Sequence, residues 1–205
     1  MIAIIDYGVG NIFSLSCSFK YIGADAVLTS DRETIAKADR IILPGVGAFG
    51  DAAQKLKNTG LWDVVKEEAS RKPILGICLG MQLLLEKSYE FGEHEGLGLI
   101  SGSVDPIADV IPADYKIPHI GWNPIHFPKD KPVSPLFKNI RENDCVYFVH
   151  SFYASHCAPQ TIATTEYGAE LTAAVSDGKF VHGVQFHPEK SGDVGLAILK
   201  GFCEL

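Results

Sequence analysis

In the first ninety residues, short unbroken apolar runs alternate with stretches of helical spacing. Ile2–Ile5 is such a run, closed by Asp6-Tyr7-Gly8, and Ile12, Leu15, Phe19 and Ile22 then recur near a 3.6-residue period. Ala26–Leu28 is a second run, and Ser30 or Asp31 caps a helix reading through Ala38. Arg40–Leu43 is a third strand, stopped by Pro44-Gly45-Val46-Gly47. Helical spacing from Ala52 to Val65 is broken at Gly60, Pro73–Ile77 is a fourth strand, and Leu79–Glu86 reads as helix. Apolar strands without alternation, separated by helices, predict a mostly parallel sheet covered on both faces.

The texture changes after about residue 96. Leu97–Val104, Pro118–Phe127, Cys145–Tyr153, Thr161–Tyr167, Leu171–Val175 and Phe180–Phe186 read as strands, with hairpin turns at Tyr167-Gly168 and Asp177-Gly178. Asp193–Leu205 has the spacing of a closing helix, while 105–117 and 128–144 carry no recognisable motif. The expectation is one α/β sandwich over 1–205, a mostly parallel central sheet flanked by helices, whose C-terminal half adds antiparallel strands.

At 205 residues the chain has room for a single core that needs no metal or disulfide staple. A net charge of −7 argues against a basic field for nucleic acid or anionic membrane. No apolar run approaches a membrane span, and Met1–Asp6 lacks the basic start of a signal peptide. The five cysteines (17, 78, 145, 157 and 203) are odd in number and form no CxxC pair. A disulfide framework and a zinc site are therefore not expected, and the chain reads as cytoplasmic, with any cysteine that matters acting as a free thiol.

One thiol stands out. Gly76-Ile77-Cys78-Leu79-Gly80 lies where a buried strand turns abruptly into a helix. That spacing suits a nucleophile elbow, with the cysteine lifted clear of the sheet at a helix N-terminus. Taken alone, a small core cysteine in a Gly-rich strand end explains it as well. Phe180–Glu189 supplies a partner, a strand ending in His187-Pro188-Glu189. In extended geometry His187 and Glu189 share a side, as a base and its orienting carboxylate require, with Pro188 holding the backbone extended. Such pairs are also common on surfaces; joined to the elbow, this one predicts a Cys78–His187–Glu189 triad. The Leu79 N–H and the Gly47 region could supply oxyanion donors. By itself the loop 44–47 is read more simply as a plain turn.

The segment Gly76–Gln82 with His187-Pro188-Glu189 resembles the class I, triad-type glutamine amidotransferases. Further segments are Gly10–Ser14, Leu43–Gly50, Pro118–Asn123, Tyr147–Ser151, Thr164–Tyr167 and Gln185–Ser191. They are similar to one branch, the glutaminase subunits of imidazole glycerol phosphate synthases, over essentially the whole chain. The resemblance implies hydrolysis of L-glutamine through a γ-glutamyl thioester, without metal or cofactor. The ammonia would pass to a (β/α)8-barrel cyclase in a heterodimer, which makes imidazole glycerol phosphate and aminoimidazole carboxamide ribotide for histidine synthesis. It implies that Gln82 and Glu90 read the α-carboxylate and α-amino ends of the substrate, and that His150 and Ser151 line the pocket. Asn11, Trp122, Tyr147 and Lys190 match positions near the cyclase face.

Other readings fit less well. Gly8-Val9-Gly10 follows the first strand, yet a dinucleotide fingerprint needs Gly or Ala where this chain has Phe13. A docking-only subunit would have no reason to keep all three triad residues, and a γ-glutamyl peptidase fits poorly with Lys190-Ser191. A glutaminase serving another synthase shares the triad and stays open on chemistry alone. The length leaves no room for an acceptor domain, so a partner on a separate chain is expected.

Overall fold

The computed structural model describes residues 1–205. Strands β1 (Ile2–Ile5), β2 (Ala26–Thr29), β3 (Arg40–Leu43) and β4 (Ile74–Ile77) alternate with helices α1 (Ile12–Tyr21), α2 (Arg32–Lys37), α3 (Phe49–Asn58) and α4 (Leu61–Glu68). Asp31, rather than Ser30, caps α2, its carboxylate accepting the Thr34 N–H at 2.9 Å. Gly60 separates α3 from α4 in the left-handed region, at φ 70°. After the short helix α5 (Leu79–Leu83) come β5 (Lys87–Ser88), β6 (His94–Glu95), β7 (Ser103–Pro106), β8 (His119–Pro124), β9 (Cys145–His150) and β10 (Phe152–Ser155). Strands β11 (Thr161–Glu166), β12 (Glu170–Ser176) and β13 (Val181–Val184) and helix α6 (Gly192–Cys203) complete the chain.

The main sheet has the order β11-β12-β13-β4-β3-β1-β2. Pairings from β2 through β13 are parallel, and β12 and β11 extend the sheet by antiparallel hairpins. Both faces are buried, which is why these strands read as unbroken apolar runs: Ala3, Ile5, Ile41, Leu43 and Ile74 enter one core, while Ile2, Ile4, Ile42, Leu75 and Ile77 enter the other. Helices α3 and α4 cover the first face through Phe49, Leu56, Leu61 and Val65; α1 and α6 cover the second through Leu15, Phe19, Ile198 and Phe202.

Three local expectations give way to tertiary contacts. Helix α5 stops at Leu83 instead of Glu86, and residues 97–102 are not strand. One cause explains both: the segment after Gly96 folds back over the helix end, with Leu97 N–H donating to Leu83 O, Leu99 N–H to Leu84 O and Gly98 N–H to Leu85 O. The run from Cys145 to Tyr153 is two strands, because β9 pairs with β8 while β10 pairs with β7 in a four-stranded sheet that includes β5 and β6. The chain changes sheets at Ser151, whose carbonyl accepts the Ile107 N–H.

Candidate active site

The carboxyl ends of β1, β3, β4 and β13 meet at one edge of the sheet, where open α/β folds place their crevices. Cys78 follows β4 with φ 53°, a positive value uncommon for a side chain with a Cβ. The backbone is held there on both sides: Cys78 N–H donates to Val184 O, and Gln82 N–H to Cys78 O. The flanking glycines are required by space. A Cβ on Gly76 would lie 2.6 Å from the Gly80 oxygen. One on Gly80 would overlap the carbonyl of Leu43. The turn is a strained elbow that presents the thiol at the first turn of α5.

His187 follows β13, the neighbour of β4, and lines the same cavity as Cys78. Its Nδ1 lies 2.8 Å from Glu189 Oε1, with both side chains almost fully buried. Burial alone disfavours the imidazolium. The hydrogen bonds and negative charge of Cys78 and Glu189 outweigh it and lift His187 to about 9. The pairing expected from extended geometry arises differently: Pro188–Lys190 is a 3-10 turn, so Pro188 opens a turn rather than prolonging the strand. The turn is fastened to β9, with His187 N–H donating to Tyr147 O. The Ser191 hydroxyl also bridges there, accepting from Tyr147 N–H and donating to His187 O.

A cavity of about 310 Å³ opens over the thiol, and Gly47, Leu79, Gln82, Glu90, His150 and Ser151 all line it. Leu79 is the first residue of α5, where helix geometry leaves the N–H without an intrahelical acceptor. Gly47 takes φ 94° with open space where a Cβ would stand, so the loop can present backbone to a ligand. Gln82 Nε2 donates to Phe152 O and to Gln185 Oε1 at 3.1 and 3.0 Å, which leaves its Oε1 without a protein partner. The Glu90 carboxylate accepts the Phe49 N–H at 2.6 Å; burial nevertheless raises its pKa. His150 is driven down to about 3, chiefly by burial, and its Nδ1 lies 2.8 Å from Phe152 O while Nε2 faces His119 Nδ1. A larger, open hollow of about 970 Å³ shares no lining residue with this cavity.

The four residues matched to a partner face divide. Trp122 and Tyr147 sit opposite each other on β8 and β9 with rings 5.9 Å apart, and Lys190 Nζ lies 5.8 Å from the Tyr147 ring. Trp122 is 55% exposed, so the three make an open aromatic and cationic patch behind the triad. Asn11 instead turns inward, its Nδ2 donating to Glu189 Oε1 at 3.2 Å. Two contacts involve residues to which the sequence reading gives no role. Gln185 Nε2 reaches Cys78 Sγ at 3.7 Å, and the Tyr7 hydroxyl donates to Pro44 O at 2.6 Å. Burial and then the charge of Cys78 push the Tyr7 phenol up. The available signals are weak: Gln185 stands two residues before the base, and Tyr7 ends a strand on the crevice side.

Comparison with known proteins agrees with this geometry. The class-I glutamine amidotransferase family matches residues 3–204. The imidazole glycerol phosphate synthase subunit HisH of Caldanaerobacter subterraneus subsp. tengcongensis is 48% identical, covering 100% of this chain and 98% of that protein. The subunit of the same name from Listeria monocytogenes is 47% identical, over 100% of this chain and 96% of its own. In fold, the chain is similar to a chain of the PurLQS structure from Thermotoga maritima, with TM-score 0.73 and 18% identity over 99% of this chain and 97% of that one. A thiol on a glycine elbow, a carboxylate-held imidazole and full-length similarity to HisH subunits lead to one conclusion: this chain belongs to the class-I glutamine amidotransferase family, in its imidazole glycerol phosphate synthase HisH branch.

Proposed function

We propose that Cys78, His187 and Glu189 carry out the glutamine hydrolysis that this family performs. Cys78 Sγ attacks the γ-carboxamide carbon of L-glutamine, and His187 passes its proton to the departing ammonia. Water, deprotonated by His187, then attacks the thioester, releasing glutamate and the sulfur. Glu189 holds the imidazole with Nδ1 protonated and stabilises its cation. The Leu79 N–H and the loop at Gly47 serve the oxyanion. The 2.8 Å His187–Glu189 contact, with His187 and Cys78 lining one cavity, carries this reading.

The pocket chemistry supports an orientation for the substrate. Both Nε2 protons of Gln82 are committed, so its acceptor Oε1 is the atom left for a ligand in the cavity that Glu90 also lines. These two acceptors suit the α-ammonium group. No Lys or Arg lines the cavity, which leaves the α-carboxylate to Ser151 and backbone N–H groups; His150 closes the wall.

The partner we assign is a separate cyclase chain that consumes the ammonia for histidine biosynthesis. It docks on the face marked by Trp122, Tyr147 and Lys190, with Asn11 at its edge. Residues 1–205 act as one glutaminase unit, a reading supported by a seven-stranded main sheet with a core on each face. We place it in the cytoplasm, where its five free cysteines stay reduced; no helix is long and apolar enough to cross a membrane. The test is Cys78→Ala: glutaminase activity falls by about 10⁴- to 10⁶-fold, while the partnered cyclase supplied with free ammonium keeps turning over. Retained glutaminase activity would refute the nucleophile.

A further inference from the structure

Gln185 is fully buried at the end of β13, and the hydrolysis steps leave it without a task. Its side-chain amide can point only one way. Gln82 Nε2 donates to Gln185 Oε1 at 3.0 Å, so the NH₂ end must face Cys78, where it lies 3.7 Å from Sγ. Gln82 is fixed in turn, because its second N–H is held by Phe152 O. That carbonyl is anchored again by His150, whose Nδ1 must carry the proton to bond it at 2.8 Å. A chain of buried hydrogen bonds, His150 to Phe152 O to Gln82 to Gln185, therefore ends on the reacting sulfur.

We infer that Gln185 is a catalytic residue of this glutaminase, a permanent hydrogen-bond donor to the Cys78 sulfur that holds it as an anion. The two neighbours of Sγ differ in what they can offer it. His187 donates to the sulfur only while it holds the proton, and it gives that proton to the departing ammonia. An amide N–H has no such cycle. It remains a donor when the thioester carbon–sulfur bond breaks and the electron pair returns to Sγ, the moment at which negative charge reappears there. A donor that cannot accept favours the thiolate over the thiol, whose sulfur is a weak acceptor. The short bonds behind it fix its aim, so no reorganisation is needed during the reaction.

This inference rests on Cys78 being the nucleophile, and its test uses no glutamine, so the two fail separately. The alkylation of Cys78 by iodoacetamide is followed across pH by peptide mass spectrometry. Gln185→Met keeps the volume and removes the donor. Alkylation near neutral pH slows about 10- to 100-fold, its midpoint moves to higher pH, and kcat falls by a similar factor with KM little changed. Gln185→Glu keeps the Gln82 bond but turns a carboxylate oxygen to the sulfur, and alkylation slows further. Two results overturn the inference: a folded Gln185→Met protein with the wild-type alkylation midpoint, whether or not kcat falls, or Gln185→Glu alkylated as fast as wild type. In the wild-type protein, where folding is not in question, the Gln185 side-chain amide NMR signals shift as Cys78 titrates. Signals that stay fixed through that titration refute the contact.

Discussion

A methyl group placed on Gly76 tests the elbow. The added Cβ would stand 2.6 Å from the Gly80 oxygen and 2.7 Å from both the Gly80 carbonyl carbon and the Met81 nitrogen, where ordinary contact begins at 3.4 Å. All three are backbone atoms of α5, so no side-chain rotation relieves the overlap. The helix must retreat from β4 by most of an ångström, taking the Leu79 N–H and the Cys78 sulfur with it. Overpacking of this kind destabilises by about 1–3 kcal/mol, which for a chain of this length lowers Tm by roughly 2–12 °C. The rate suffers more, because a displacement near 1 Å at a reacting centre costs on the order of 10²-fold. The expected result for Gly76→Ala is a protein that melts cooperatively at a lower temperature, with kcat for glutamine about 100-fold down. Ammonia release and differential scanning calorimetry measure the two. Wild-type Tm together with wild-type kcat would mean that strand and helix do not approach as described, and the account of the elbow would be wrong.

Two more outcomes follow from the base and its support. Glu189→Gln should lower kcat by about 10³- to 10⁴-fold, clearly less than loss of Cys78 or His187, since the carboxylate orients the ring without transferring the proton; equal losses in parallel steady-state assays would contradict that division. The second concerns stability. His187 is lifted from 6.5 to about 9, so between those values the folded protein holds a proton that the unfolded chain has lost. The contribution is complete below pH 6.5 and is lost as pH rises through about 9. Urea denaturation of wild type and His187→Asn across that window should give a difference that shrinks with pH; a constant or growing difference contradicts the ion pair.

Much of the site is legible in the sequence because the decisive signals are local. Gly76, Cys78 and Gly80 fall within one strand-to-helix turn, and His187 and Glu189 are two residues apart, so spacing suffices to name them. Even there extended geometry is an incomplete reason for the second pair, since a 3-10 turn sets its geometry. What escapes depends on atoms far apart in the chain. Gln185 and Cys78 are 107 positions apart, and nothing in an apolar strand announces which of its few polar atoms will meet a sulfur. Helix α5 reads too long because its competitor for the last carbonyls, residues 97–99, comes from beyond the helix. Strands β5 and β6 have two residues each, too short for any period to register. Similarity points Asn11 outward, although its amide reaches the triad carboxylate.

The parallel pairing of β4 with β13 dictates when the enzyme comes alive. One strand leaves the ribosome with the thiol long before the other arrives with the imidazole, and everything from β5 to β12 must be threaded through in between. On the proposed triad, a nascent chain halted anywhere short of His187 therefore has the sulfur but nothing to take its proton. Glutamine hydrolysis by that triad waits until β13 has been made and has paired with β4.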